Sequence, residues 1–96
     1  MSDQPLWKRV FALASETRVE ALATLAGARE ITVERLADQV GVRSSVMSKH
    51  LKILEQAEMI ERVADGRFTQ VRLRRDGLDR VVTDVEMILF TGDDDV

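Results

Sequence analysis

No cysteine occurs anywhere in the 96 residues. Disulfides, thiol redox sensing and thiolate metal sites are thereby excluded. A single histidine, His50, leaves little for an imidazole metal site. No apolar run approaches the ~20 residues that cross a bilayer. The N-terminal residues carry no signal-peptide pattern, so the cytoplasm is the expected compartment. No base lies between Val81 and Val96, where Asp84, Glu86, Asp93, Asp94 and Asp95 are all acidic.

The length suits one small domain, residues 1–96. A domain this size buries a modest share of its surface and usually needs support. With disulfides and metals set aside, a second subunit is the expected support. Hydrophobic residues make up 45% of the chain, ample for a core, and charged residues 32%. The formal net charge of -3 hides an uneven distribution. Arg43, Lys49, Lys52, Arg62, Arg67, Arg72, Arg74 and Arg75 face only Glu55, Glu58, Glu61 and Asp65 within the same stretch. Charge is screened beyond roughly 10 Å, so a local basic patch matters more than the total for nucleic-acid binding. An ordinary solvated surface is the alternative.

Helical periodicity begins after Pro5, which suits a first turn. Leu6, Trp7, Val10, Phe11, Leu13 and Ala14 form a wide apolar face. Ser15 is a candidate N-cap for a second helix with Val19, Leu22, Ala23, Leu25 and Ala26 inward. Thr32 caps a third, ending at Gly41, where a positive φ is needed. A short turn leads to a fourth helix from about Ser44 to Ala57. Two short helices joined by a Gly-containing turn form the helix-turn-helix arrangement, here about 32–57. Asp65-Gly66 between two partly alternating runs, Ile60–Ala64 and Phe68–Leu73, predicts a hairpin, read as a wing at about 60–74. A last helix, about Gly77 to Phe90, carries Leu78, Val81, Val82, Val85, Ile88 and Leu89. The fold class is therefore mainly α with a small β-hairpin, a winged helix-turn-helix.

The fourth helix contains the stretch SSVMSKHLKIL. At about 100° per residue, Met47, Leu51 and Leu54 share one face, and Ser45, Ser48, Lys49, Lys52 and Gln56 point away from it. A major groove admits one helix whose projecting side chains are short and can hydrogen-bond. Serines meet that need, and lysines reach phosphates or guanines. Ser44, Ser45, Ser48 and Lys49 are the candidates to approach bases. Arg43, His50, Lys52, Arg67 and the other wing arginines are the candidates to hold phosphates.

Three segments resemble the ArsR/SmtB family of winged-helix repressors over about Val10 to Leu89. ALASETRVEALATLA is similar to the family's second-helix segment, with Ser15-Glu16 for the usual Asp-Pro but Thr17-Arg18 intact. ITVERLADQVGVRSSVMSKHLKILEQAEMI carries the Ser-x-His-Leu-x-x-Leu pattern at Ser48, His50, Leu51 and Leu54. ERVADGRFTQVRL is similar to the wing, with Gly66-Arg67 followed by Phe68. The resemblance implies a homodimer that binds an inverted-repeat operator in double-stranded DNA and blocks transcription. It implies dimerisation through the first and last helices, about 5–14 and 77–90. Trp7, Val10, Phe11, Val82, Val85 and Leu89 are then the interface candidates, with an ordinary monomer core as the alternative.

The departures point away from metal sensing and from any cofactor. The third helix, VERLADQV, has no cysteine, and the last helix offers Asp84 and Glu86, two apart and diverging. Glu58 stands where the family usually has Gly, implying a less favourable left-handed residue or an altered helix end. Arg43 stands at a usual hydroxyl cap, so Ser44 is expected to cap instead. An unknown effector molecule or protein is a further possible partner. A protein-interaction module built on the same scaffold, its aspartate tail mimicking phosphate charge, is the rival class. No nucleophile, paired-carboxylate cleft, phosphate loop or metal-ligand cluster suggests an enzyme.

Overall fold

A computed structural model describes residues 4–92; Asp93, Asp94 and Asp95, expected as a solvated tail, lie outside the described residues. The elements are α1 (Leu6–Phe11), α2 (Glu16–Ala26), β1 (Ile31–Thr32), α3 (Val33–Val40), α4 (Ser44–Gln56), β2 (Ile60–Asp65), β3 (Phe68–Leu73) and α5 (Arg75–Gly92). This is the expected mainly helical, winged arrangement, with one addition. β1 pairs antiparallel with β3, Ile31 opposite Val71 and Thr32 opposite Gln70. The hairpin thus becomes a three-stranded sheet of order β1-β3-β2. β2 and β3 run in register from Ile60 opposite Leu73 to Asp65 opposite Phe68. The loop pair is therefore Gly66-Arg67, not Asp65-Gly66, and Gly66 takes the positive φ of 63° that a two-residue turn needs at its first position.

Caps decide where the helices begin. The Ser15 hydroxyl accepts from the Arg18 amide at 3.2 Å, and the Thr32 hydroxyl from the Arg35 amide at 3.2 Å. Ser44 does not cap α4, contrary to expectation. Arg43 has the extended N-cap backbone (φ -71°, ψ 150°), with no side-chain cap bond. Its carbonyl already accepts from the Met47 amide at 2.9 Å, which places Ser44 inside the first turn.

The C-terminal ends fix the turns. α3 closes on Gly41 at φ 88°, and the Val42 amide returns to the Ala37 carbonyl at 3.0 Å. α4 closes in the same way: the Glu58 amide donates to Glu55 and the Met59 amide to Leu54, both at 3.0 Å. Glu58 occupies the left-handed position at φ 61°, a conformation that costs a non-glycine residue about 1–2 kcal/mol. Its carboxylate is held by Arg80 at 3.0 Å. α5 begins at Arg75, two residues before the expected Gly77, and its first turn lies on the Glu58 backbone. A Cβ on Gly77 would stand 1.7 Å from the Glu58 carbonyl oxygen, so only glycine permits this approach. α1 is shorter than its apolar pattern, ending at Phe11.

The core draws on every helix except α1. Leu25, Leu36, Met47, Leu51, Leu54, Met59, Ile60 and Val71 are fully buried. In α2 the buried positions are Arg18, Ala21, Leu22 and Leu25. Val19, Ala23 and Ala26, expected inward, are exposed. The inward face is displaced because a charged residue, Arg18, occupies one of its positions. In α5, Val81 is buried and Leu78 and Val85 pack partly against the core. Beyond them, Glu86 to Phe90 are all exposed, so no face of this part of the helix is covered by the described residues.

Gly77→Ala is expected to lower stability by about 1–3 kcal/mol, the range for overpacked sites. Gly27→Ala is its control, because a Cβ there would meet only the Thr24 carbonyl at an ordinary 3.7 Å. Urea unfolding at one fixed protein concentration measures both; equal midpoints would contradict the close contact between α5 and Glu58.

Candidate nucleic-acid interface

The apolar stripe of α4 determines what the helix shows to solvent. Met47, Leu51 and Leu54 are buried, while Ser44, Ser45, Lys49, Lys52 and Gln56 are exposed. Ser48 is half-buried at the edge of that face. Val46, absent from the sequence-based candidates, is exposed on the first turn beside the serines. An exposed apolar side chain at this place is chemically able to meet a thymine methyl group. Arg43 lies exposed at the start of the helix. Arg43, Lys49 and Lys52 form no ion pair or side-chain hydrogen bond among the described residues.

The wing divides the arginines into two groups. Arg62 on β2 donates to Glu55 of α4 through Nε at 3.2 Å and Nη2 at 2.8 Å. This pair fastens the wing to α4. Arg72 is bound by Glu61 and, at 3.4 Å, by Glu30. Arg74 donates to Asp76 at 2.8 Å. Those three arginines, expected at phosphates, are committed to carboxylates of their own chain. Arg67, at the hairpin tip, is exposed and has no such partner among the described residues.

His50 is placed differently from the other candidates. It is half-buried on the flank of α4, and its Nδ1 lies 3.1 Å from Nη1 of Arg18. Arg18 is 5% exposed. Its Nε donates to the Ala12 carbonyl at 2.7 Å and its Nη2 to the Phe11 carbonyl at 3.2 Å. Its guanidinium also lies over the Phe11 ring, 5.6 Å from the centroid. These carbonyls lie at the end of α1, and the Phe11 carbonyl also accepts from the Ala14 amide at 2.8 Å. The imidazole pKa lies below its ordinary 6.5, first because burial disfavours the cation and second because the Arg18 guanidinium repels it. Sequence reasoning missed Arg18 as a site residue. The available signal was its place in the 18, 21, 22, 25 spacing of the buried face together with the Thr17-Arg18 match.

The six dimer candidates separate into two groups as well. Trp7, Val10, Phe11, Val82 and Leu89 are exposed, whereas Val85 packs partly on the core. Met87, Ile88 and Phe90 extend the exposed apolar surface of α5. Arg9 of α1 pairs with Asp84 of α5 at 2.8 Å, holding the two helices side by side. Among the described residues, no three His, Asp or Glu side chains come together as a metal site.

The sequence profile of a family described as a helix-turn-helix domain matches residues 13–63. The HTH-type transcriptional regulator KmtR of Mycobacterium tuberculosis is 38% identical over 72 residues, which are 75% of this chain and 55% of that protein. The chain spans about half the length of the curated relatives it matches. An ArsR-like transcriptional regulator from Rhodococcus sp. RHA1 superposes with a TM-score of 0.80 at 30% identity, covering 92% of this chain and 82% of that one. The homodimeric winged helix-turn-helix DNA-binding domain Mb0332 of Mycobacterium bovis shares the fold, with a TM-score of 0.70 at 24% identity over 92% of this chain and 94% of that one.

The lowered pKa of His50 fixes the sign of one pH effect. Below about pH 6.5 the unfolded chain binds a proton that the folded chain resists. Stability is therefore expected to fall as pH drops from about 6.5 through the folded-state pKa. His50→Asn removes this contribution. Urea midpoints between about pH 7.5 and pH 5.5 compare the two proteins; an identical pH slope would contradict the shift.

Proposed function

The chain belongs to the ArsR family of winged helix-turn-helix transcriptional regulators, and on that premise we propose that it works as a homodimeric repressor of an inverted-repeat operator, without a metal effector. The observation that carries the reading is the exposed face of α4. It offers serine hydroxyls and lysines at the start of a helix, flanked by one uncommitted arginine at the wing tip. α4 enters the major groove with Ser44, Ser45, Ser48 and Lys49 toward the bases. Arg43, Lys52 and Arg67 hold phosphates and fix the helix in register. His50, with one ring nitrogen already engaged, contributes at most a neutral donor.

The dimer half of the proposal rests on exposed apolar side chains. Trp7, Val10, Phe11, Val82 and Leu89, with Met87, Ile88 and Phe90, are left exposed by the described residues. A second copy meeting them through α1 and α5 buries both sets at once and places two reading helices on one DNA face. The homodimeric state of the Mycobacterium bovis domain supports this arrangement by analogy of fold.

Each protomer brings Arg43, Lys52 and Arg67 to phosphates. If all of them make contact, log K falls against log salt with a slope of about -5 for the dimer, at about -0.9 per phosphate. Lys52→Ala and Arg67→Ala each remove two contacts per dimer and are expected to flatten the slope by about 2. Arg62→Ala is expected to leave the slope unchanged, because Arg62 is occupied by Glu55. Operator fragments recovered by genome-wide mapping of bound sites supply the DNA for fluorescence anisotropy. A flat salt response, or capture of a protein partner with no DNA retarded, would reject the reading. Separately, a Val82→Asp, Leu89→Asp double variant is expected to sediment as a monomer; an unchanged sedimentation coefficient would reject the interface.

A further inference from the structure

A buried guanidinium needs partners for its N–H groups, and Arg18 has found them in two different elements. Two go to the end of α1, at Ala12 and Phe11, and one to the His50 ring on α4. Among the described residues no carboxylate neutralises it. Arginine can only donate, so Nδ1 of His50 must accept and carry no proton. The ring proton of the neutral imidazole is then on Nε2.

We propose that Arg18 is a positioning residue for the DNA-reading helix: it ties α4 to the end of the dimerisation helix α1 through a neutral His50 whose Nδ1 is the acceptor. The proposal rests on the reading role assigned to α4 above. The tie works only while the imidazole is neutral. Protonation at Nδ1 removes the acceptor and sets two cations 3.1 Å apart. Among the described residues no carboxylate is paired with the ring to offset that repulsion. From α2 the charged group at the ring is Arg18 itself. From α1 this corner receives the Phe11 and Ala12 carbonyls, which Arg18 already occupies, and the Phe11 ring. On α4 the residues one turn away, Val46, Met47, Ile53 and Leu54, are all apolar. The arrangement makes the angle of α4 against α1 conditional on one proton.

A direct phosphate contact by His50 predicts the opposite pH behaviour. A phosphate would favour the imidazolium, so operator affinity would rise as pH falls. The tie predicts that affinity falls several-fold between about pH 7.5 and pH 5.5. His50→Asn keeps an acceptor near the Nδ1 position but cannot titrate. It is expected to bind independently of pH in this range and more tightly at pH 7.5 than His50→Leu, which has no acceptor. Because the chain has a single histidine, its ring nitrogens can be followed without ambiguity by 15N NMR in the full protein. The expected signature is an unprotonated Nδ1, a protonated Nε2, and an apparent pKa below 6.5 that moves upward in Arg18→Met. Should Arg18→Met fail to fold, the wild-type spectra and the two His50 variants decide alone. Titration at or above 6.5 in the folded protein, a protonated Nδ1, or affinity that rises on acidification would each overturn the proposal. If the NMR signature is present but no DNA binds at any pH, the reading role of α4 falls and the positioning role with it, while the tie itself stands.

Discussion

Everything that α4 presents to solvent depends on the burial of one stripe, Met47, Leu51 and Leu54. Burying it decides the rotation of the helix, because side chains on a helix are fixed in angle relative to one another. Turn the helix by one residue, about 100°, and a different set of side chains faces solvent. The stripe is itself held at both ends. Gly41 lets α3 turn sharply enough to deliver Arg43 as the N-cap, and Glu58 accepts a strained backbone so that α4 can close and hand the chain to β2. Gly77 then lets α5 rest on that strained residue. Core packing, turn geometry and surface chemistry are therefore aspects of one placement.

Charge pairing refines the same picture. Counting bases suggests a broad positive patch spread over α4 and the hairpin. The ion pairs reduce it. Arg62, Arg72 and Arg74 serve Glu55, Glu61, Glu30 and Asp76, each pair contributing modestly at the surface. The Arg62 pair also neutralises Glu55, an acid on α4 itself. Glu55 would otherwise stand beside the lysines of α4 and repel a phosphate. What remains uncommitted is narrower: Arg43 at the start of α4 with Lys49 and Lys52 on it, Arg67 at the hairpin tip, and Arg75 at the start of α5.

Much of this was legible in the sequence because it is local. Ser15 and Thr32 behave as caps, Gly41 ends α3, and the inward stripe of α4 follows from period alone. The misses are non-local or fall at the ends and edges of elements. β1 is two residues long and exists only through its pairing with β3. Ser44 lost the cap to Arg43 because backbone geometry, not hydroxyl chemistry, set the first turn. The buried face of α2 was misread because apolar pattern cannot reveal a guanidinium as a core residue. Arg18 and His50 are far apart in sequence, and neither residue alone announces the contact. The exposed candidates on α1 and α5 occupied an intermediate position: their period showed a wide apolar face, and only the fold showed which part of it the chain leaves uncovered.

That uncovered part explains how a chain of net charge -3 can approach a polyanion. Acids and bases are separated along the molecule, with α5 carrying Asp84 and Glu86 and α4 carrying the lysines. At physiological ionic strength a charge is felt over about 8 Å, so phosphates at the reading face respond to their nearest side chains. Asp84 is further muted by Arg9, within the contact that aligns α1 with α5. The acidic end of the molecule is also the apolar end, since Met87, Ile88, Leu89 and Phe90 lie exposed among those acids. Apolar attraction there and electrostatic attraction at α4 thus act on different surfaces. On the proposed reading one meets a second copy and the other DNA, and Arg18 touches both α4 and the end of α1.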